Sequence, residues 1–287
     1  MTTPIPSWLA LLVAAAIFAV MFSLGLMCGR EQVAAVLQRR GVLAMALFAA
    51  LIPVPAAAVL LVKLAGIQGV VAAGILLMAI SPGAPIAIRR AIEAGGEPAF
   101  APALHLAIVA LAVVTVPVSM AVLSAIYQKD FAISPLDVAR QVFFAQLVPL
   151  GLGATLRALR PQAAARLEAP LARATNLALL ALVAALVVVL WPLLAEAGWV
   201  PAAAGAVLTV CALAIGAACA ARDASVRPVA AVAAAMRNPG LALLIATVNR
   251  MPATVVASIF GYALGAALVI AAFVIWYGRR GRQAPAS

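Results

Sequence analysis

Charge is scarce in this 287-residue sequence: 9% of its residues are Asp, Glu, Lys or Arg, against 67% that are hydrophobic. Globular chains carry about 25% charged residues, and a soluble fold could not cover its surface with so few. Lipid must therefore be part of the solvent. Acid is scarcer than base. Eight carboxylates stand against 19 Lys and Arg, a net charge of +11. The basic residues are scattered between apolar runs rather than gathered in a patch, which fits the positive-inside rule and argues against a nucleic-acid partner. Histidine occurs once, at His105, and cysteine three times, at Cys28, Cys211 and Cys219. The cysteines lie in or beside apolar stretches without paired metal-ligand spacing and read as small packing residues. The sequence also lacks a nucleophile–base set, paired carboxylates and a phosphate-cradling Gly-x-x-x-x-Gly-Lys loop. Hydrolase, redox and nucleotide chemistry have no foothold, and no cofactor or metal is expected. No basic n-region of a cleavable signal peptide precedes the first apolar stretch, which is long enough to span.

Apolar sequence is abundant instead. Runs between charges predict nine spans, at about 8–27, 42–62, 69–94, 99–127, 138–154, 175–194, 200–221, 228–248 and 254–277. Each is near the roughly 20 residues that cross a bilayer. The expected fold class is an all-α membrane protein, with residues 1–287 as one integral unit and short connections, the longest basic one at 157–173. Loops one, three, five and seven and the tail 278–287 carry fourteen basic residues, from Arg30, Arg39 and Arg40 to Arg279, Arg280 and Arg282, while Lys63, Lys129, Arg140 and Arg250 lie on the other side. The basic side is cytoplasmic. That places the N-terminus outside and the C-terminus inside, with a bacterial inner (plasma) membrane as the expected location.

Two spans are interrupted. The third contains Ser81-Pro82-Gly83-Ala84-Pro85 and the eighth Arg237-Asn238-Pro239-Gly240. Proline removes backbone donors and glycine frees the chain to bend. One such site alone would read as a kink, as Pro53 and Pro55 do in the second span. The pair reads differently. Repeat one (8–127) and repeat two (175–277) flank a linking helix (138–154), the interrupted span is third in each, and the two run in opposite directions. Matching interruptions in inverted halves mark a transporter site. Half-helices starting after Ala84 and after Pro239 would aim positive N-terminal ends at the midplane and favour a small anion. Arg237 lies at the same depth, where a charge costs at least about 2.5 kcal/mol, and is a functional candidate on that ground.

These residues resemble the bile acid:sodium symporter superfamily. Phe22-Ser23-Leu24-Gly25-Leu26, Ser81-Pro82-Gly83 and Arg237-Asn238-Pro239-Gly240-Leu241-Ala242-Leu243 follow, in order, the family's F-x-x-G-L, C-P-G-G-T-x-S-N and E-x-x-x-Q-N-x-G-L-A patterns. The resemblance implies a core of spans two to four and seven to nine, a panel of spans one, five and six, and alternating-access transport of organic anions. Bile acids, pantoate, other small carboxylates and sulfated steroids are the substrates it implies. The sequence departs from the pattern at the sodium ligands. Their positions fall on Ala87, Ile88, Ala101, His105, Ala233 and Arg237, so sodium coupling is not expected.

The expected substrate contacts are Pro82, Gly83, Ala84, Pro85, His105, Arg237, Asn238, Pro239 and Gly240. Arg237 either faces an anionic substrate or neutralises the C-terminal dipole of the half-helix before it, and the two roles are compatible. Asn238 either bridges freed backbone groups or binds substrate. His105 either carries a proton or packs as a neutral ring. Absent sodium ligands also suit a ligand-binding membrane receptor on the same fold that no longer transports. A metalloid exporter would want a thiol at the crossover, and none is there.

Overall fold

Proline and glycine decide where the helices begin and break. The computed structural model describes residues 7–29, 34, 38–127, 133–189 and 191–283; Arg30, Glu31, Lys129 and Asp130 lie outside them. In order the helices are α1 (Ser7–Leu26), α2 (Arg40–Leu51), α3 (Pro53–Leu64), α4 (Gly69–Ala79), α5 (Ala87–Glu93), α6 (Phe100–Tyr127) and α7 (Pro135–Val142). They continue as α8 (Val148–Leu159), α9 (Pro161–Val189), α10 (Trp191–Ala197), α11 (Val200–Cys219), α12 (Arg227–Ala235), α13 (Pro239–Val248) and α14 (Ala253–Gln283). Proline opens α3, α7, α8, α11, α12 and α13 at one of their first two positions, where the missing N–H would have no helical partner.

Among the described residues, five continuous stretches are long and apolar enough to cross a membrane: Arg40–Leu64, Phe100–Tyr127, Pro135–Leu159, Val200–Cys219 and Ala253–Arg279. Leu11–Leu26, Gly69–Ala79 and Pro239–Val248 are shorter apolar helices. Large apolar side chains cover the outside, among them Leu11, Leu64, Val114, Leu264 and Leu268, each more than half exposed. That surface suits acyl chains rather than water.

Two elements differ from the sequence reading. Residues 157–173 are not a loop. Between α8 and α9 only Arg160 is non-helical, and α9 runs back to Pro161. Ala, Arg, Leu and Glu fill this stretch and favour helix, and Arg157 pairs with Glu168 at 3.1 Å across the turn. The third span is broken more widely than its prolines alone require. Its second half, α5, begins at Ala87 rather than directly after Ala84, and is seven residues long.

Helix packing depends on bare backbone. A side chain on Gly25 would run into the Leu150 carbonyl and one on Gly153 into the Phe22 carbonyl, so α1 and α8 approach through these two glycines. Gly265 admits the Ala202 carbonyl and joins α14 to α11 in the same way, as small residues do in membranes. Beyond α8, α1 packs on α9 and on α13, while α11 packs on α2, α12 and α14. One end of the bundle is closed by polar groups. Arg39 binds Glu97 and, at 3.3 Å, Asp223, and the Ser225 hydroxyl donates to Asp223 at 2.7 Å. The Glu97 N–H donates to the Ser225 carbonyl at 3.0 Å. The start of α2, the α5–α6 loop and the α11–α12 loop are thereby tied together.

Candidate functional site

The two interruptions meet. Pro82 and Arg237 face each other as an antiparallel bridge, and the Asn238 N–H donates to the Ser81 carbonyl at 2.8 Å. Proline and extended backbone have stripped these residues of helical partners, and each interrupted helix supplies the other with some of them. Asn238 completes the contact with its side chain. Its Nδ2 donates to the Gly83 carbonyl at 3.2 Å, and its Oδ1 caps α13 by accepting from the Leu241 N–H at 3.1 Å. Asn238 is thus both the N-cap of one half-helix and the bridge to the other interruption. Ser81 returns its hydroxyl to the Leu77 carbonyl at 2.7 Å.

Gly83 has a φ of +81°, a backbone state that side chains resist. A Cβ there would lie 3.0 Å from Val109 and 3.9 Å from the His105 ring. His105, on α6, is 2% exposed and its Nε2 has no partner among the described residues. Pro82 and Ala84 are buried, whereas Pro85, Pro239 and Gly240 are half-buried. Ile17 of α1 stands over Gly240, 3.4 Å from where its Cβ would be. Of the expected contacts, Pro82, Gly83, Arg237, Asn238, Pro239 and Gly240 therefore form one cluster, with His105 on its α6 side.

Arg237 is 4% exposed. Its Nη2 donates to the Ala234 carbonyl at 2.6 Å and to the Ala50 carbonyl at 2.9 Å. Ala234 belongs to the last turn of α12 and Ala50 to the last turn of α2. The guanidinium therefore sits on the negative ends of two helices, the geometry of the dipole-neutralising role. Pro53 and Pro55 cannot donate to the carbonyls one turn back, at residues 49 and 51, and α2 stops at Leu51, with Arg237 against its last turn. Arg237 Nε and Nη1 are buried without a partner among the described residues, at a cost of roughly 1–3 kcal/mol for each unsatisfied donor.

Four of the six positions where the resemblance places sodium ligands are apolar. Ala87, Ile88, Ala101 and Ala233 are all buried. Among the described residues no group of His, Cys, Asp and Glu could hold a metal ion. A further expectation needs correction, since α5 is too short to direct a substantial dipole at the midplane, and the ten-residue α13 alone offers a capped N-terminal end.

Three buried polar residues escaped the sequence reading. Tyr262 is buried on α14, at 1% exposure. Thr209 is fully buried and its hydroxyl has no partner among the described residues. Gln146, also fully buried, with neither amide atom paired among the described residues, sits on a wider π turn, Phe143–Leu147, between α7 and α8. A lone polar residue inside an apolar run was the available signal at Thr209 and Gln146, although such residues also serve as helix contacts.

The pattern of the Sodium Bile acid symporter family matches residues 14–198. Comparison with curated proteins gives no match.

Proposed function

The chain belongs to the sodium bile acid symporter family, a family of integral membrane transporters, and on that premise we propose that it is a secondary transporter of a small or amphipathic organic anion that works without sodium. In this reading the nine spans form two inverted repeats around the linking helix. Spans one, five and six make the panel and the remaining spans the core. The basic loops face the cytoplasm of a bacterial inner membrane, with the N-terminus outside. The antiparallel meeting of Pro82 and Arg237 is the observation that carries the proposal. It brings two proline-broken helices together beside α1, at the kind of discontinuity where secondary transporters bind substrate.

The substrate side of this crossover is made by Asn238, Pro239, Gly240, Gly83, Ala84 and Pro85, with His105 behind Gly83. The positive end of α13 favours a carboxylate or sulfate. Arg237 supplies a fixed positive charge where relatives would hold mobile ions, since it caps the carbonyl ends of α2 and α12. A fixed charge balances an anion but carries no gradient, so the transporter runs as a facilitator, an exchanger or a proton-linked carrier.

Counterflow tests this. Proteoliposomes preloaded with unlabelled anion are diluted into labelled cholate or pantoate in a sodium-free buffer. A carrier gives a transient overshoot of label that protein-free vesicles lack. Saturable binding without an overshoot for any organic anion tried would make the protein a receptor and overturn the proposal.

A further inference from the structure

The last turns of α14 are built against the end of α5. Gly278 leaves no side chain between the two helices: a Cβ there would come within 2.9 Å of the Glu93 carbonyl, at the end of α5. That contact gathers basic groups distant in sequence. Arg89 and Arg90 stand on α5, and Arg279 follows Gly278 directly. Glu93 is shared between Arg89, at 2.7 Å, and Arg90, at 2.9 Å. Glu97, in the loop after α5, is engaged by Arg39. One carboxylate among Arg89, Arg90 and Arg279 leaves positive charge in excess. The Arg89 side chain is 80% exposed despite its ion pair, and Arg279 is exposed as well.

The same two helices bring exposed apolar surface to these charges. Ile86, just before α5, and Ile275 and Trp276, one turn before Arg279 on α14, are each at least half exposed. Tyr277 packs on Phe273 and Trp276, with ring centroids 5.3 Å and 5.9 Å apart. Trp and Tyr favour the depth where acyl chains give way to headgroups, and arginine side chains reach for the headgroup layer beyond it. With 31 residues, α14 is about 46 Å long at about 1.5 Å per residue, against a hydrocarbon core of about 30 Å. Its basic end therefore emerges from the apolar layer with the aromatic residues at the boundary.

We propose that the ends of α5 and α14 form a docking surface for an anionic phospholipid, with its phosphate among Arg89, Arg90 and Arg279 and its acyl chains along Ile86, Ile275 and Trp276. Charge and shape select the ligand. The planar guanidinium suits phosphate oxygens. A zwitterionic headgroup brings a cation of its own to a surface already in positive excess, and a free phosphate gains nothing from exposed apolar side chains. The bound lipid also steadies α5. A helix of seven residues is marginal alone, and a headgroup bridging it to α14 holds the second half of the interrupted span in place. The surface lies outside the organic-anion contacts and does not depend on the transport function.

The full-length protein in dodecyl maltoside micelles at low ionic strength is supplied with phosphatidylglycerol or, at equal mole fraction, phosphatidylcholine, while thermal unfolding is followed. Phosphatidylglycerol should raise the unfolding midpoint saturably beyond the effect of phosphatidylcholine, and the excess should fade as sodium chloride is added. Joint Arg89→Gln and Arg279→Gln substitution should raise the half-saturating mole fraction about tenfold, equivalent to about 1.4 kcal/mol. Arg166→Gln, at an exposed position of α9, should leave it unchanged. The proposal is overturned if the two lipid curves coincide, if inorganic phosphate alone produces the same rise, or if Arg166→Gln weakens the response as much as the paired substitution does, which would assign it to the overall positive charge. Arg89→Gln alone decides the matter should the paired variant not fold. No transport substrate is present, so this result and that of the counterflow assay are independent.

Discussion

At the scale of the residue, the sequence made Arg237 and Asn238 conspicuous because a charge and an amide interrupt an apolar run. It could not say which way Arg237 points. That depends on the Ala50 carbonyl, 187 positions away in sequence, in the last turn of α2. Arg237→Met would leave the Ala50 and Ala234 carbonyls without this donor and remove the fixed charge. Anion binding, measured by isothermal calorimetry with cholate or pantoate, should weaken by roughly 2–5 kcal/mol, by analogy with buried charge pairs at interfaces. Unchanged affinity in a folded variant would leave Arg237 purely structural. Gly83 makes a second residue-scale test. Alanine there must accept a φ of +81° and a Cβ 3.0 Å from Val109, so Gly83→Ala should destabilise by roughly 1–3 kcal/mol. Gly151, helical with open space around its Cβ position, serves as the control. Gly151→Ala should raise the thermal midpoint slightly, and equal midpoints for the two variants would show that the Gly83 geometry is not required.

At the scale of the element, apolar runs located the helices well because a bilayer requires long uninterrupted stretches, and the two breaks were visible because proline and glycine mark them. The helical 157–173 segment and the π turn at Phe143–Leu147 were not visible. The first is stabilised by propensity and by the Arg157–Glu168 pair despite its charge, and the second is a packing outcome with no composition of its own. The Arg39–Glu97–Asp223–Ser225 clasp was equally hidden, since it joins three loops distant in sequence. The Ser225 hydroxyl is the largest influence holding the Asp223 carboxyl below its ordinary range, ahead of backbone hydrogen bonds and Arg39. A depressed carboxylate stabilises the fold above its unfolded pKa, about 3.9, and that contribution is lost as pH falls through the lower folded value. Ser225→Ala should therefore lower the thermal midpoint at pH 7, and the gap to wild type should narrow as pH is taken below about 4. A gap independent of pH would mean that the clasp does not act through Asp223.

At the scale of the whole molecule, composition alone identified a polytopic membrane protein, and the family match over residues 14–198 spans two of the three short motifs that carried the resemblance. The proposed orientation rests on the distribution of arginines and is open to direct labelling. In a variant lacking Cys28, Cys211 and Cys219, a cysteine at exposed Gln68 should react with an impermeant maleimide in whole cells, and one at exposed Gln162 only after permeabilisation; the reverse pattern would invert the topology. What composition could not supply is the energy source, because coupling depends on a few ligand positions rather than on hydropathy. The central claim is that a fixed guanidinium has replaced mobile sodium at the crossover. Initial uptake of labelled cholate and pantoate into proteoliposomes, measured with an inward gradient of sodium or of choline at equal ionic strength, tests it most directly. The account predicts rates within about twofold of each other in the two gradients. A tenfold faster rate with sodium, equivalent to about 1.4 kcal/mol, would contradict it.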